Sequence, residues 1–215
     1  MESGVIKFLI ADDHSFLRSG VIKALSANFP GAEFGEAGNA DEVLDSMQKA
    51  KWDLIILDIN LPGRNGLDVL KEIRKNNPGI RVIIFSMYPE DQFAVRSLKA
   101  GASAYLTKDI SQNEFVNAIK KLLKGELYLT PSLMDLITNE LHEENNKISH
   151  EVLSDREYQV FRLIASGMNV SLIAKKLLLS VKTVSVYRSN ILKKMNLKNN
   201  SEITHYAFKH NLVQI

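Results

Sequence analysis

Through the first 125 residues, short apolar runs alternate with longer segments whose apolar positions recur every three to four residues. The runs at 6–11, 33–36, 53–57, 81–86 and 104–106 have strand length, 33–36 being the weakest. Helical periodicity marks 15–28, 40–51, 66–76, 89–100 and 112–124, and Ser111 with Glu114 forms a capping-box pair opening the last of these. Parallel strands need crossover connections, so strand followed by helix, five times over, predicts an α/β domain. Its architecture would be a doubly wound, five-stranded parallel sheet with helices on both faces.

The pattern changes after residue 125. The stretch "PSLMDLITNEL" predicts at least a turn of amphipathic helix, whereas "HEENNKISH" is polar and aperiodic and reads as a linker. Beyond it almost everything has helical spacing. Ser154 with Glu157 opens a helix over 155–165, Gly167 breaks it, 171–178 is short, and Ser180 caps 181–195. A last helix spans about 201–209. The expected division is residues 1–125, a partly helical linker over 126–149, and a small all-α four-helix domain over 150–215.

Charge sharpens that division. Residues 1–125 hold 16 Lys and Arg against 16 Asp and Glu, 126–150 hold 1 against 5, and 151–215 hold 10 against 4. A neutral body, an acidic connector and a basic C-terminal part suggest that only the last meets a polyanion. The absence of cysteine excludes disulfides and thiolate metal sites and fits a reducing cytosol. The N-terminal run "VIKFLIA" is too short for a signal-peptide core, and no segment approaches the roughly 18 apolar residues of a membrane span. A cytoplasmic protein without membrane contact is expected.

In an open parallel sheet, function gathers outside the carboxyl ends of the strands. Asp12 and Asp13 follow the first strand, Asp58 the third, Ser86 ends the fourth and Lys108 follows the fifth. The spacing brings three carboxylates, a hydroxyl and an ammonium to one crevice. Crowded carboxylates repel unless a cation neutralises them, and an all-oxygen site with room for water and phosphate suits Mg²⁺. Asp58, on the central strand, is the natural nucleophile toward a phosphoryl group.

The segments "IADDHSFLRSGV", "DLIILDINLPGRNGLDVLKEIR", "VIIFSMY" and "KAGASAYLTKD" together resemble the CheY-like receiver domain of bacterial two-component response regulators, over about residues 5–125. The resemblance implies that Asp58 accepts a phosphoryl group from a sensor histidine kinase and that Asp12 and Asp13 help hold Mg²⁺. The backbone carbonyl of Asn60 would complete the metal site. It further implies that Ser86 donates a hydrogen bond to the phosphoryl group, that Lys108 pairs with it, and that Tyr105 switches rotamer on activation. Leu61 stands where methionine is frequent in that family, and Asp109 follows Lys108 where proline is common. Without proline, a cis bond after Lys108 would cost about 3 to 4 kcal/mol, so it must be held by packing or be absent. Tyr88 lies where it could shade the phosphoryl group from water.

On a helix over 181–195, Val184, Tyr187, Ile191 and Met195 form an apolar stripe. Lys182, Ser185, Val186, Ser189 and Lys193 share the other side. Small residues permit close approach to base edges while lysines neutralise phosphates, as a helix in a major groove requires. This helix is the second of a short pair, as in a helix-turn-helix. The stretch "LSDREYQVFRLIASGMNVSLIAKKLLLSVKTVSVYRSNILKKM" resembles the DNA-binding domain of NarL/FixJ-type, LuxR-like regulators. The resemblance puts Ser185, Val186 and Ser189 at base edges, and Lys182, Thr183, Lys193 and Arg188 near the backbone of double-stranded DNA. Glu157 and Gly167 match that family, while Leu172 replaces a frequent glutamate and Tyr187 a frequent histidine.

The reading these features support is a DNA-binding transcription regulator, not an enzyme, gated by phosphorylation of Asp58 and dimeric when phosphorylated or DNA-bound. A magnesium-dependent aspartyl-phosphate enzyme is the alternative from another class. It needs a general acid, commonly an Asp two residues beyond the nucleophile, and that position is Asn60. A constitutive DNA binder with a non-gating receiver is the third possibility.

Overall fold

The computed structural model describes residues 5–143, 149–210 and 212–213. The chain forms two compact units, Met1–Leu141 and His142–Ile215.

In the first unit, strands β1 (Lys7–Ala11), β2 (Glu33–Ala37), β3 (Leu54–Leu57), β4 (Arg81–Ser86) and β5 (Ala104–Thr107) form one sheet in the order β2-β1-β3-β4-β5. Every pairing is parallel. Helices α1 (Ser15–Asn28), α2 (Ala40–Lys49), α3 (Gly66–Asn76), α4 (Glu90–Lys99) and α5 (Gln112–Leu123) supply the crossovers. Strand order reverses at β1 and β3, which is where a doubly wound sheet opens its crevice. The register aligns Ala11 with Leu57 and Ser86 with Thr107, so the residues that follow the strands share one rim.

The strands are apolar on both faces because both are covered. Phe8, Ile10, Leu54, Ile56, Ile83 and Phe85 pack with Val21, Leu25, Phe115 and Ile119 of α1 and α5. The alternate residues Leu9, Ile55, Leu57, Val82 and Ile84 are equally buried and point to the opposite face. Helix α2 stops at Lys49, two residues earlier than its periodicity predicts. The Trp52 indole N–H donates to the Ser46 carbonyl (3.1 Å), and its ring lies so close over Gly35 that any side chain there would overlap it.

Capping follows the expected residues with one difference. At Ser154 the full box is present. At Ser111 the hydroxyl accepts the Glu114 N–H (3.3 Å), but the Glu114 carboxylate takes the Ser111 hydroxyl (2.8 Å) rather than its backbone N–H, so only half the box forms. Beyond the sheet, α6 spans Pro131–Glu143. The Thr130 hydroxyl accepts the Leu133 N–H (3.1 Å) and donates to the Glu90 carboxylate at the start of α4 (2.8 Å).

The second unit is helical: a 3-10 turn Ser149–Val152, then α7 (Asp155–Ala165), α8 (Val170–Lys176), α9 (Val181–Lys194) and α10 (Asn200–Lys209). Phe161, Ile173, Val184, Ile191 and Ile203 are fully buried, and Phe161 meets Tyr206 edge-on (6.1 Å, 76°). Between α8 and α9 the chain turns at Leu178, which holds φ 52° without being glycine.

Candidate functional site

Three expected residues meet directly at the rim of the sheet. Asp12 continues β1, bonding its N–H to Ala37 O (3.1 Å), and Asp58 continues β3, bonding its N–H to Ala11 O (2.9 Å). Both side chains are about 3% exposed, and Lys108 reaches between them, with Nζ 2.5 Å from Asp12 Oδ2 and 2.8 Å from Asp58 Oδ2. Lys108 is aimed there because its N–H extends the β4–β5 pairing to Ser86 O (2.8 Å). Among the described residues no peptide is cis, the Lys108–Asp109 bond included.

Asp13 joins through His14. The imidazole Nδ1 is 3.1 Å from Asp12 Oδ1 and 2.7 Å from Asp13 Oδ1, the latter off hydrogen-bonding direction. Ligating atoms of Asp12, Asp13 and His14 lie within 4.8 Å of one another. Ser86 is fully buried, but its hydroxyl accepts the Tyr88 N–H (3.2 Å) and interacts with the Tyr105 phenol instead of bonding Asp58. Tyr105 is buried and its phenol donates to the Tyr88 carbonyl (2.7 Å). The Tyr88 ring packs on Phe93 of α4, with centroids 4.8 Å apart. Asn60 sits half-buried in the β3–α3 loop, and its backbone N–H interacts with the Asp58 carboxylate.

The electrostatics follow from burial against pairing. Burial pushes the Asp58 carboxyl above the usual carboxylate range; Lys108 pulls it back, and the charge of Asp12 adds to the rise. Burial alone would lower the Lys108 ammonium, yet Asp58 and Asp12 more than offset this and leave it raised. Burial also raises the Tyr105 phenol, so it stays protonated and a donor. Two buried carboxylate oxygens, Asp13 Oδ1 and Asp58 Oδ1, accept no hydrogen bond of good geometry among the described residues. Unsatisfied anionic oxygens of this kind are what a hard divalent cation takes up, so the donor set fits Mg²⁺.

In the second unit, α9 presents the two faces its sequence predicts. Val184, Ile191 and Met195 are buried and Tyr187 is half-buried; Lys182, Ser185, Val186, Ser189 and Lys193 are exposed. Ser180 caps the helix by accepting the Thr183 N–H (3.0 Å), and the Thr183 hydroxyl lies 2.7 Å from that of Ser180. Arg188 is half-buried and its Nε donates to Asn200 Oδ1 (2.6 Å), which ties it to α10. Glu157 accepts from Lys194 Nζ (2.6 Å) and from the Ser154 N–H (2.8 Å), joining the start of α7 to the end of α9. Leu172, where a glutamate could have closed a capping box with Asn169, leaves that cap with the single bond from its own N–H (2.9 Å). Nothing in the structure explains its side chain.

Residues 8–120 match the response regulator receiver domain, and residues 151–207 match the luxR family of bacterial regulatory proteins. The chain is a response regulator. It is 32% identical over 210 residues to the response regulator GacA of Pseudomonas protegens, covering 97% of this chain and 98% of the relative. To the response regulator protein VraR of Staphylococcus aureus it is 31% identical over 209 residues, covering 97% and 99%. Among solved structures, a LuxR-family two-component response regulator from an Aurantimonas species is 31% identical, covering 65% of this chain and all of that one, with TM-score 0.58. The response regulator RcsB in complex with DNA is 25% identical with TM-score 0.56, covering 98% and 100%. The protein thus joins a receiver to a LuxR-type DNA-binding domain, the composition of a two-component transcription regulator. Among the described residues, no helix is long and apolar enough to cross a membrane.

Other residues shape the response regulator's pocket without standing out in the sequence. Arg18 donates from Nη1 to the Asp12 carbonyl (2.7 Å) and from Nε to Glu36 Oε2 (2.8 Å), bracing the loop that carries both acids. Gly66 donates its N–H to Ile59 O (2.9 Å), and a Cβ there would overlap the Asp58 carbonyl oxygen. Asn65, buried beside it, caps α3 by accepting the Leu67 N–H (2.8 Å). The available signal was the dipeptide Asn-Gly seven residues after Asp58, which marks a turn but not what the turn approaches.

Proposed function

We propose that Asp58 is the phosphoacceptor of this response regulator and that its phosphorylation by a sensor histidine kinase governs DNA binding by the C-terminal domain. One observation carries this: a buried carboxylate with one oxygen on the Lys108 ammonium and the other accepting no hydrogen bond of good geometry among the described residues. An Asp58 oxygen attacks the phosphorus on the kinase histidine; the O–P bond forms, the N–P bond breaks, and the electron pair returns to the imidazole. Asp12, Asp13, Asp58 and the Asn60 carbonyl would hold Mg²⁺, which supplies positive charge to the transferring phosphoryl oxygens. Lys108 exchanges an Asp58 oxygen for a phosphoryl oxygen. Ser86 turns its hydroxyl from Tyr88 and Tyr105 to the phosphoryl group. Tyr105, which holds the Tyr88 carbonyl in this arrangement, is then released to change rotamer. The same pocket suits phosphorylation by small donors and hydrolysis of the acyl phosphate.

On the output side, Ser185, Val186 and Ser189 face base edges, and Lys182, Thr183, Lys193 and Arg188 face phosphates. Double-stranded DNA is the ligand and a homodimer the binding form. The structural neighbour described as two RcsB dimers bound to two parallel DNAs, 26% identical with TM-score 0.57, supports that assembly. Cysteine-free composition and phosphorelay chemistry suit the cytoplasm.

Intact mass after incubation with Mg²⁺ and a small phosphoryl donor tests the acceptor. One phosphoryl group is expected on the parent chain and none on Asp58→Ala. Equal gain by both would refute the assignment. For the output, Lys182→Ala and Lys193→Ala should each reduce the salt dependence of DNA binding by about one phosphate contact.

A further inference from the structure

Helix α6 is held to the first unit at few points. Among its described side chains, over 131–138, Leu133 alone is fully buried, Leu136 and Ile137 are half-buried, and the rest face water. A polar attachment sits at its first turn. The Thr130 hydroxyl accepts the Leu133 N–H (3.1 Å), capping the helix, and donates to the Glu90 carboxylate, both oxygens of which lie 2.8 Å away. Glu90 is half-buried at the start of α4, so one hydroxyl proton is shared between the two oxygens of a partly desolvated anion. Such a charge-assisted bond is roughly twice as strong as a neutral one, and it weighs heavily on a helix with little apolar burial.

Glu90 stands two residues beyond Tyr88, whose backbone is held on both sides. Ser86 Oγ accepts the Tyr88 N–H (3.2 Å), and the Tyr105 phenol donates to the Tyr88 carbonyl (2.7 Å). The Tyr88 ring packs on Phe93, centroids 4.8 Å apart, which joins this turn to α4. A continuous set of contacts thus runs from Ser86 and Tyr105, through Tyr88 and Glu90, to Thr130 and the first turn of α6.

We propose that the Thr130–Glu90 contact is a latch that keeps the start of α6 on the receiver until Asp58 is phosphorylated. This rests on Asp58 as the phosphoacceptor and names the contact through which its phosphorylation reaches the connecting helix. When Ser86 turns to the phosphoryl group and Tyr105 leaves the Tyr88 carbonyl, residues 88–90 lose both anchors. Glu90 then moves off Thr130, and α6 is left with its few apolar contacts. A helix of 13 residues is marginal in water by itself, so its amides become open to exchange.

Hydrogen–deuterium exchange of the full-length chain, read over 130–143, tests this before and after incubation with Mg²⁺ and a small phosphoryl donor. Intact mass measures phosphoryl uptake in the same samples. Exchange of the α6 amides should rise about tenfold on phosphorylation, the effect of one charge-assisted hydrogen bond on an opening equilibrium, and the donor should change nothing in Asp58→Ala. Glu90→Ala should raise exchange to a similar degree in the unphosphorylated chain, whereas Thr130→Ser should keep the parental rate. In a Thr130→Ala background, which has already lost the hydroxyl, Glu90→Ala should add nothing further. Unchanged exchange in β3 shows that each variant keeps its fold. A phosphorylated parent whose α6 exchanges at the unphosphorylated rate, or a Glu90→Ala effect that persists undiminished in Thr130→Ala, overturns the latch and leaves the Asp58 assignment standing. A parent that gains no phosphoryl group removes both.

Discussion

The Lys108 ammonium lies 2.8 Å from Asp58 Oδ2 across fifty residues of chain, and the same nitrogen neutralises Asp12 at 2.5 Å. One cation therefore serves two buried anions. Replacing Lys108 by Met keeps the stem and removes the charge, leaving both carboxylates buried without it. Breaking a buried pair from one side costs about 3 to 5 kcal/mol. Urea unfolding followed through the receiver transition should show a loss of that order in Lys108→Met, partly recovered by added Mg²⁺.

Asp58 behaves in the opposite way. Its carboxyl is raised above 3.8, first by burial and further by Asp12, against the pull of Lys108. Folding thus favours the protonated acid, the folded state binds more protons than the unfolded, and stability falls as pH rises from about 4 through the folded value. Asp58→Asn removes that dependence. The variant should melt higher than the parent at pH 7 without divalent cations, with the gap closing toward pH 4. Thermal melts across pH 4 to 8 give the comparison, and a gap that widens on acidification would contradict it.

Gly66 is set by contact with the backbone that carries Asp58. A methyl group at 66 overlaps the Asp58 carbonyl oxygen, and backbone cannot swing aside as a flexible side chain can. Gly66→Ala should cost about 3 kcal/mol and reduce phosphoryl uptake from a small donor, because relief of the clash shifts the strand end itself. Gly79→Ala, where a Cβ meets nothing within 4 Å, is the matched control and should leave both readouts near parental values.

Leu178 turns the chain between α8 and α9 at φ 52° while 63% exposed. An L-residue in that region is strained, and little apolar burial compensates for it. Leu178→Gly should raise the melting stability of the C-terminal domain by roughly 0.5 to 1 kcal/mol. Calorimetric melts of the intact parent and variant chains give the comparison, and an unchanged or lowered C-terminal transition in Leu178→Gly would contradict it.

Much of this protein follows from local order along the chain. Apolar runs such as "LIIL" and helical spacing such as that of Val184, Ile191 and Met195 depend on neighbours a few residues away. Their elements, the strand ends bearing Asp12, Asp58 and Ser86, and the two faces of α9 were therefore legible from periodicity and caps. The half-formed box at Ser111 was not, because the same pair of side chains has two ways to bond and the chain order does not rank them.

What only the tertiary structure decided are the contacts between residues far apart in the chain. The order β2-β1-β3-β4-β5 and its register bring Lys108 between Asp12 and Asp58, bend Arg18 onto Glu36, and lay Trp52 over Gly35. It also turned Ser86 toward Tyr88 and Tyr105 rather than toward Asp58. Residue type and spacing specify which groups reach the rim of the sheet. Their pairing there is chosen by burial, where each charge or hydroxyl must find a partner among whatever the fold has placed beside it.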